Sequence, residues 1–230
     1  LLSFAIVAAI LYGVVPGIVK VAGWFELLFV NLLGFSFNTG AIIYIVILIA
    51  IVLWGIYESY MAKSRLRMNV SFMASIAALG VPFFGTGFTC VAMGALILGV
   101  LGFLLFKSGK VKKYAQMPRV FNTTLLCCLM LMIGYSSYAV IVIRSTANPP
   151  MDQNSPEDVF TLAEYLNRDQ YGSTPLLYGP AYTSQVKNKR EGDYLVPVRE
   201  KGAPIYQRKE KKSAGEADKY EKIGNKGNYI

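Results

Sequence analysis

Long apolar runs alternate with short polar segments over the first 143 residues of the chain. A helix needs about 20 apolar residues to cross the roughly 30 Å hydrocarbon core of a bilayer. Pro16-Gly17 interrupts the first run, and the turn residues from Val81 to Gly87 divide a long uncharged stretch into a hairpin of two helices. The pattern therefore predicts five membrane spans, at about residues 1–15, 41–57, 69–84, 88–106 and 120–143.

The remaining residues, 144–230, are polar, and we interpret them as the beginning of an incomplete extramembrane domain. Ser155 followed by proline has the signature of a helix N-terminus, and apolar residues then recur at helical spacing. We predict a helix over residues 156–171, followed by short strands near 194–196 and 204–206. The basic cluster that starts at Arg208 is interpreted as a solvated loop.

Positive charges in the short loops predict the topology. The loops 58–67 and 107–119 together carry eight Lys or Arg residues, whereas the loop 16–40 carries only Lys20. By the positive-inside rule the two basic loops face the cytoplasm, so the first span runs outward and residues 144–230 lie outside. In a Gram-negative cell that side is the periplasm, and the protein is a multi-pass component of the inner membrane. The aromatic residues of the loop 16–40 suit the headgroup boundary.

Composition supports this division and excludes several functions. Hydrophobic residues make up 54% of the chain and charged residues 16%, against about 25% charged in a soluble domain. The net charge of +9 is mostly in the loops, so nucleic acid is not a predicted partner. There is no histidine, which excludes a Ser-His-Asp triad and any histidine metal site in this chain. The three cysteines lack the spacing of a zinc or redox motif.

The chain begins at Leu1 in the middle of an apolar run, without methionine. We therefore expect it to be a middle section of a longer protein. Its expected partners are then membrane lipid and the further helices of the same parent chain.

The segment 134–182 carries a specific resemblance. It resembles the DUF2723 family of large membrane proteins of Bacteroidota, which is described as protein O-mannosyltransferase-like and grouped as glycosyltransferase family 117. The upstream apolar part is compatible with the family but less distinctive. The stretches that carry the resemblance are 134–138, 143–145, 147–152, 154–158, 165–172 and 175–179.

The resemblance implies a GT-C type architecture, with many membrane helices, a catalytic site at the outer membrane face and a trailing outer domain. Such enzymes move a sugar from a polyprenyl-phosphate carrier to an acceptor, often a protein hydroxyl. Their catalytic acid typically lies in the first outer loop, which we expect upstream of Leu1. No catalytic acid is therefore carried over to any position of this chain.

Acidic residues near the outer face are still candidates, because the chemistry needs a carboxylate that deprotonates the acceptor hydroxyl. Asp152, in a rigid turn, and Glu26 are the two candidates for this role. No cofactor is evident from the sequence. Whether a divalent cation stabilises the departing phosphate is left open. The candidates for contacts to substrate or lipid phosphate are Arg144, Asn148, Arg168 and Tyr171.

Two other functions stay open. The chain could be a non-enzymatic scaffold or a transport subunit of an envelope assembly, which the lack of histidine and metal motifs also fits. A channel or secondary transporter is less well supported, because no charged residue lies in the middle of a predicted span.

Overall fold

A computed structural model of the chain describes residues 13–83, 87–107, 118–167, 171, 183, 185, 187–192, 194–198, 202–209 and 215–225. The prediction of a mostly helical protein is confirmed, with short strands confined to the polar part. The helices are α1 (Val15–Leu27, continued by a π-helical segment Leu28–Leu32), α2 (Thr39–Met61), α3 (Arg65–Ala78), α4 (Gly87–Phe106), α5 (Pro118–Tyr135), α6 (Ala139–Thr146) and α7 (Val159–Asn167). A 3-10 turn, Ser136–Tyr138, joins α5 to α6.

Four helical segments of the described chain are long and apolar enough to cross a membrane. They carry many exposed apolar side chains, among them Ile42 (60% exposed), Leu96 (60%) and Ile133 (58%). Such surfaces are expected where the surroundings are hydrocarbon or other helices instead of water. The four segments are Val15–Leu32, Thr39–Met61, Thr89–Phe106 and Pro118–Thr146.

The structure corrects the predicted interruption at Pro16-Gly17. Pro16 lies near the start of α1, directly after the π-helical residues Gly13 and Val14, so the described chain stays helical on both sides of the proline. The segment 16–40, predicted to be a loop, is consequently helical as far as Leu32. Residues 1–12 of the predicted first span lie outside the described residues.

The helix at the predicted span 69–84 is shorter than predicted. This helix, α3, covers 14 residues, a length of about 21 Å, and ends at Ala78. This is shorter than the hydrocarbon core of a bilayer. The third predicted span therefore corresponds to a short helix packed between longer ones.

The core of the bundle lies where α1, α2 and the end of α3 meet. Its buried side chains include Val21, Tyr44, Leu48 and Leu79. The Tyr44 hydroxyl donates a hydrogen bond to the carbonyl oxygen of Ala78 at 2.8 Å, so the one polar group of this side chain is satisfied.

A second cluster lies at the other end of the bundle and contains Met68, Leu105 and Phe121. Each of these residues is within two positions of a Lys or Arg of the two basic loops. The described ends of both basic loops therefore lie at one end of the bundle, whereas the α1–α2 connection and the β3–β4 hairpin lie at the opposite end. The predicted topology requires this arrangement.

Helix α7 begins three residues later than predicted. Ser155 has a φ of 38°, which the extended conformation of an N-cap does not allow. Asp158 is the cap instead: its Oδ1 accepts hydrogen bonds from the backbone N–H groups of Phe160 (3.0 Å) and Thr161 (2.9 Å). The Thr161 hydroxyl accepts one in return from the Asp158 N–H at 3.1 Å, which completes a reciprocal capping box. Helix α7 ends at Asn167, and residues 168–170 of the predicted helix lie outside the described chain.

The polar part contains two antiparallel hairpins. Strand β1 (Asn188–Glu191) pairs with β2 (Tyr194–Pro197), and β3 (Pro204–Arg208) pairs with β4 (Tyr220–Asn225). The two predicted strand segments lie within β2 and β3. Among the described residues, the second hairpin contacts helix α7 and the α1–α2 region.

Candidate functional site

Glu26 forms the centre of the junction between the membrane helices and the polar part. Its side chain is fully buried, with 0% exposure. Its two oxygens accept hydrogen bonds from the backbone N–H groups of Asn38 (2.5 Å) and Ala41 (3.0 Å) at the start of α2. A carboxylate placed there satisfies free N–H groups and lies at the positive end of the helix dipole.

Strand β4 docks onto this cap through Tyr220, which is 2% exposed. The Tyr220 hydroxyl donates to Glu26 Oε1 at 3.2 Å. The backbone of Tyr220 pairs with the Asn31 side chain in both directions, at 2.7 and 3.1 Å. Burial, followed by the nearby carboxylates of Asp158 and Glu26, raises the pKa of Tyr220 above its ordinary value, so the hydroxyl keeps its proton and remains a donor at neutral pH.

Arg208 on β3 forms a second attachment between the hairpin and the start of α7. Its Nε donates to Asp158 Oδ2 at 3.0 Å, and its Nη2 donates to the Glu157 carbonyl oxygen at 2.8 Å. Its Nη1 also pairs with the Glu157 carboxylate. The guanidinium lies 4.8 Å from the centre of the Phe37 ring. Arg208 is 26% exposed, so the prediction of a solvated loop is wrong at this residue.

We expect Arg208→Lys to loosen the hairpin, because a lysine ammonium cannot make this planar set of hydrogen bonds. Losing charge-assisted bonds of about 1.5–3 kcal/mol should speed chymotrypsin cleavage at Tyr206 and Tyr220 by about tenfold or more. Tyr194 on β2 is 79% exposed and serves as an internal reference cut. The matched control is Arg190→Lys on the exposed strand β1; equal cleavage of both variants would contradict the attachment.

An apolar groove, which we call the outer groove, opens at the same end of the bundle. It has a volume of about 480 Å³ and lies between α1, α2, α5–α6 and α7. Its walls are almost entirely aliphatic and aromatic. Representative lining residues are Ile18, Ile42, Met132, Val142 and Leu162.

A second cavity, which we call the aromatic cleft, shares part of its lining with the outer groove. Its volume is about 560 Å³. It is more polar than the outer groove, because Lys20 and Glu164 line it together with several aromatic rings. The two cavities are neighbours, because six residues line both of them: Val15, Val19, Tyr135, Tyr138, Val159 and Leu166.

The predicted carboxylates lie in different surroundings. Asp152 is half-buried and accepts a hydrogen bond from the buried Ser145 hydroxyl at 2.6 Å, which fixes the turn after α6. Glu26 has no solvent access and its oxygens already accept three hydrogen bonds. The complete burial of Glu26 favours a structural role for its carboxylate. Asp152 is only half-buried and so remains accessible.

The predicted phosphate-binding residues are not gathered into one site. Arg144, in the last turn of α6, and Asn148, just after the helix, are both exposed. Tyr171 is 69% exposed. Within the described chain no hydrogen bond joins these three side chains to one another. Arg168 lies outside the described residues.

Metal binding has no support from the described residues. In that part of the chain no three Asp, Glu or Cys side chains come together as possible ligands. The candidate divalent cation is therefore assigned to no residue here.

Several residues of this junction were not singled out by the sequence. Tyr220 and Arg208 lie in the charge-rich end of the chain, and their partners are more than 49 positions away. Lys20 and Trp24 did stand out as polar and aromatic residues near the outer face.

Comparisons of the chain with protein families, with curated proteins and with solved structures find no match.

Proposed function

We propose that the chain is part of an integral membrane glycosyltransferase that moves a sugar from a polyprenyl-phosphate donor to an acceptor hydroxyl, such as a protein Ser or Thr, at the outer face of the membrane. The outer groove is the observation that carries this proposal. It adds to the resemblance of the segment 134–182 to the DUF2723 family.

The outer groove suits the lipid chain of such a donor. Its lining is mostly aliphatic and includes residues of α6 such as Val142 and Ile143. A polyprenyl chain has no polar group to satisfy, so an aliphatic groove next to the bilayer can hold it by packing alone. A soluble metabolite would need more polar partners than these walls offer.

The proposed sidedness follows from the two ends of the bundle. The basic loops at the Met68 end are placed in the cytoplasm, which puts the outer groove and residues 144–230 on the periplasmic side of the inner membrane. Lipid-linked donor, protein acceptor and the further helices of the parent chain then all meet at that face.

In the proposed reaction a carboxylate takes the proton of the acceptor hydroxyl. The acceptor oxygen forms a bond to C1 of the sugar while the bond from C1 to the phosphate oxygen breaks, and the polyprenyl phosphate leaves with the electron pair. Asp152 is the accessible candidate for this base in the described chain, and a carboxylate upstream of Leu1 is the one that the family resemblance implies. Arg144, which follows the groove residue Ile143 in the chain, is our candidate contact for the lipid phosphate.

Transfer of sugar by the full-length protein, from polyprenyl-phosphate donors to an acceptor peptide, tests the proposal. If Asp152 is the base, Asp152→Asn lowers kcat by about 10²-fold or more. Arg144→Ala should mainly raise KM for the donor. Glu221→Gln, an exposed carboxylate on β4, is the matched control. Absence of transfer by the unaltered protein with a panel of donors would overturn the proposal, whereas normal transfer by Asp152→Asn would overturn only the assignment of the base.

The alternative function is that of a non-enzymatic membrane scaffold or transport subunit. The observation that favours it is that Glu26, Glu157 and Asp158 are all engaged in holding the hairpin to the helices. It predicts a stable complex with an envelope assembly after detergent purification, and unchanged protein glycosylation after gene deletion. Loss of glycosylation after deletion would instead favour the enzyme.

A further inference from the structure

We propose that Ser145 is a positioning residue for Asp152: its buried hydroxyl holds one carboxylate oxygen, so that the other oxygen takes the proton of the acceptor hydroxyl. This inference rests on the proposed function and deepens it, because it assigns separate roles to the two oxygens of the base. The sequence alone suggested no role for Ser145. Its contact joins residues seven positions apart, across a turn that contains two prolines.

The hydrogen bond between the two side chains is short and shielded on one side. Ser145 Oγ donates to Asp152 Oδ2 at 2.6 Å. Ser145 is 1% exposed, whereas Asp152 is half-buried. Bonds of about 2.5–2.7 Å from a hydroxyl to a carboxylate are charge-assisted and roughly twice as strong as bonds between neutral groups. This contact is therefore strong enough to fix the orientation of the Asp152 carboxylate.

Ser145 uses its hydroxyl differently from the hydroxyl residues near it. Ser136, Ser137 and Thr146 each donate to a backbone carbonyl oxygen three positions earlier in the chain. Serine in a helix commonly satisfies its hydroxyl in this way. Ser145 had the same alternative, and the structure places its hydroxyl on the carboxylate of Asp152 instead. The pairing is therefore a specific contact of this turn and not a general consequence of a serine in a helix.

The chain has to reverse its direction to bring Asp152 back to α6. Asn148, two residues after the helix, has a φ of 49°, and Asn154 has a φ of 63°. Asparagine is one of the few residues that adopt this left-handed conformation at low cost. Pro149 and Pro150, which lie between the two turns, have φ fixed by their rings. Asp152 is thus held by stiff backbone and by a side chain on a helix, as a well-placed catalytic group should be.

The hydrogen bond also ties the carboxylate to the helical turn that borders the outer groove. Ile143 and Thr146 of α6 both line the groove, and Ser145 lies between them in the chain. Asp152 does not itself line the groove, so its link to this turn is the contact with Ser145. Arg144, the candidate contact for the lipid phosphate, belongs to the same turn. The proposed base and the proposed phosphate contact are therefore attached to one short segment.

The two oxygens of Asp152 then have different tasks. Oδ2 keeps the hydrogen bond from Ser145, whereas among the described residues no hydrogen bond reaches Oδ1. In the proposed transfer Oδ1 takes the proton as the acceptor O–H bond breaks. The acceptor oxygen bonds to C1 of the sugar, and the polyprenyl phosphate leaves with the electron pair of the broken C1–O bond. Without Ser145 the carboxylate can rotate, so it presents a free oxygen to the acceptor in fewer of its orientations.

Sugar transfer by the full-length protein, from polyprenyl-phosphate donors to an acceptor peptide, tests this role. Ser145→Ala should lower kcat by about tenfold and leave KM for donor and acceptor unchanged, because Ser145 touches neither substrate. Ser145→Thr keeps the hydroxyl and should retain kcat within about threefold. Ser137→Ala is the matched control, since Ser137 is an exposed serine whose hydroxyl bonds to the Gly134 carbonyl oxygen.

The double variant Ser145→Ala/Asp152→Asn distinguishes positioning from a general structural role. If Ser145 acts through Asp152, the double variant should be no slower than Asp152→Asn alone, since the effects of residues that act as a unit do not add. A purely structural role would slow both backgrounds by the same factor. Wild-type kcat of Ser145→Ala, or an equal loss in both backgrounds, overturns the inference.

Failure of the proposed function gives a different result. Slow transfer by Asp152→Asn together with normal transfer by Ser145→Ala keeps the base and removes the positioning role. Normal transfer by Asp152→Asn removes both roles but keeps the enzyme, whereas no transfer by the unaltered protein with a panel of donors removes the proposed function and the inference with it. If the added methyl group of Ser145→Thr prevents folding, Ser145→Ala and the double variant decide the question.

Discussion

Glu26→Gln is expected to lower the free energy of unfolding by about 3 kcal/mol, although glutamine has nearly the same shape as glutamate. Oε1 of Glu26 accepts from the Asn38 N–H and the Tyr220 hydroxyl, and Oε2 accepts from the Ala41 N–H. Whichever way the amide of glutamine is turned, its NH₂ group faces at least one of these donors. A buried donor then has no acceptor, and the cost is that of desolvation without a hydrogen bond.

Equilibrium unfolding of the purified protein in mixed micelles measures this difference. Glu221→Gln, which removes an exposed carboxylate next to Tyr220, should unfold like the unaltered protein. Tyr220→Phe should cost only about 1 kcal/mol, because it removes one hydrogen bond of Glu26 and leaves no buried donor without an acceptor. Wild-type stability of Glu26→Gln would show that the cap of α2 contributes nothing.

The long helices were predictable because their signal is local. An uncharged run of about 20 residues has few alternatives to a membrane-length helix, and the predicted spans 41–57, 88–106 and 120–143 each coincide with helix in the structure. The failures occurred where one residue type fits two structures. Proline often interrupts a helix, but the described chain stays helical across Pro16, from the π-helical residues 13–14 into α1.

The junction was much harder to predict, because its contacts join distant parts of the chain. Tyr220 is 194 positions from Glu26 and 189 from Asn31. Local patterns identify a carboxylate near the outer face, but they contain no information about which backbone N–H groups it will meet. The same limit applies to Ser155 and Asp158: both are good caps, and the choice between them depends on Arg208, 50 positions away from Asp158.

Gly80→Ala is expected to destabilise the protein by about 4 kcal/mol, or to prevent its assembly in the membrane. Gly80 has a φ of +74°, a left-handed conformation that costs alanine about 1 kcal/mol. A Cβ at Gly80 would also overlap the backbone of Gly17 on α1. Backbone atoms cannot rotate away as a flexible side chain can, so α1 must separate from the end of α3, with an overpacking cost of about 3 kcal/mol.

Two glycines of the same chain separate these costs. Gly34 has a φ of +72° and no described atom within 4 Å of its added Cβ, so Gly34→Ala should show only the backbone cost. Gly17 has no positive φ, but its Cβ would lie 2.7 Å from the Gly80 carbonyl carbon, so Gly17→Ala should show only the steric cost, about 2 kcal/mol after the gain in helix propensity. Unfolding in mixed micelles ranks the three variants. If Gly80→Ala and Gly34→Ala lose the same stability, α1 does not pack on the end of α3 at this distance, and both cavities would lose the wall that α1 provides.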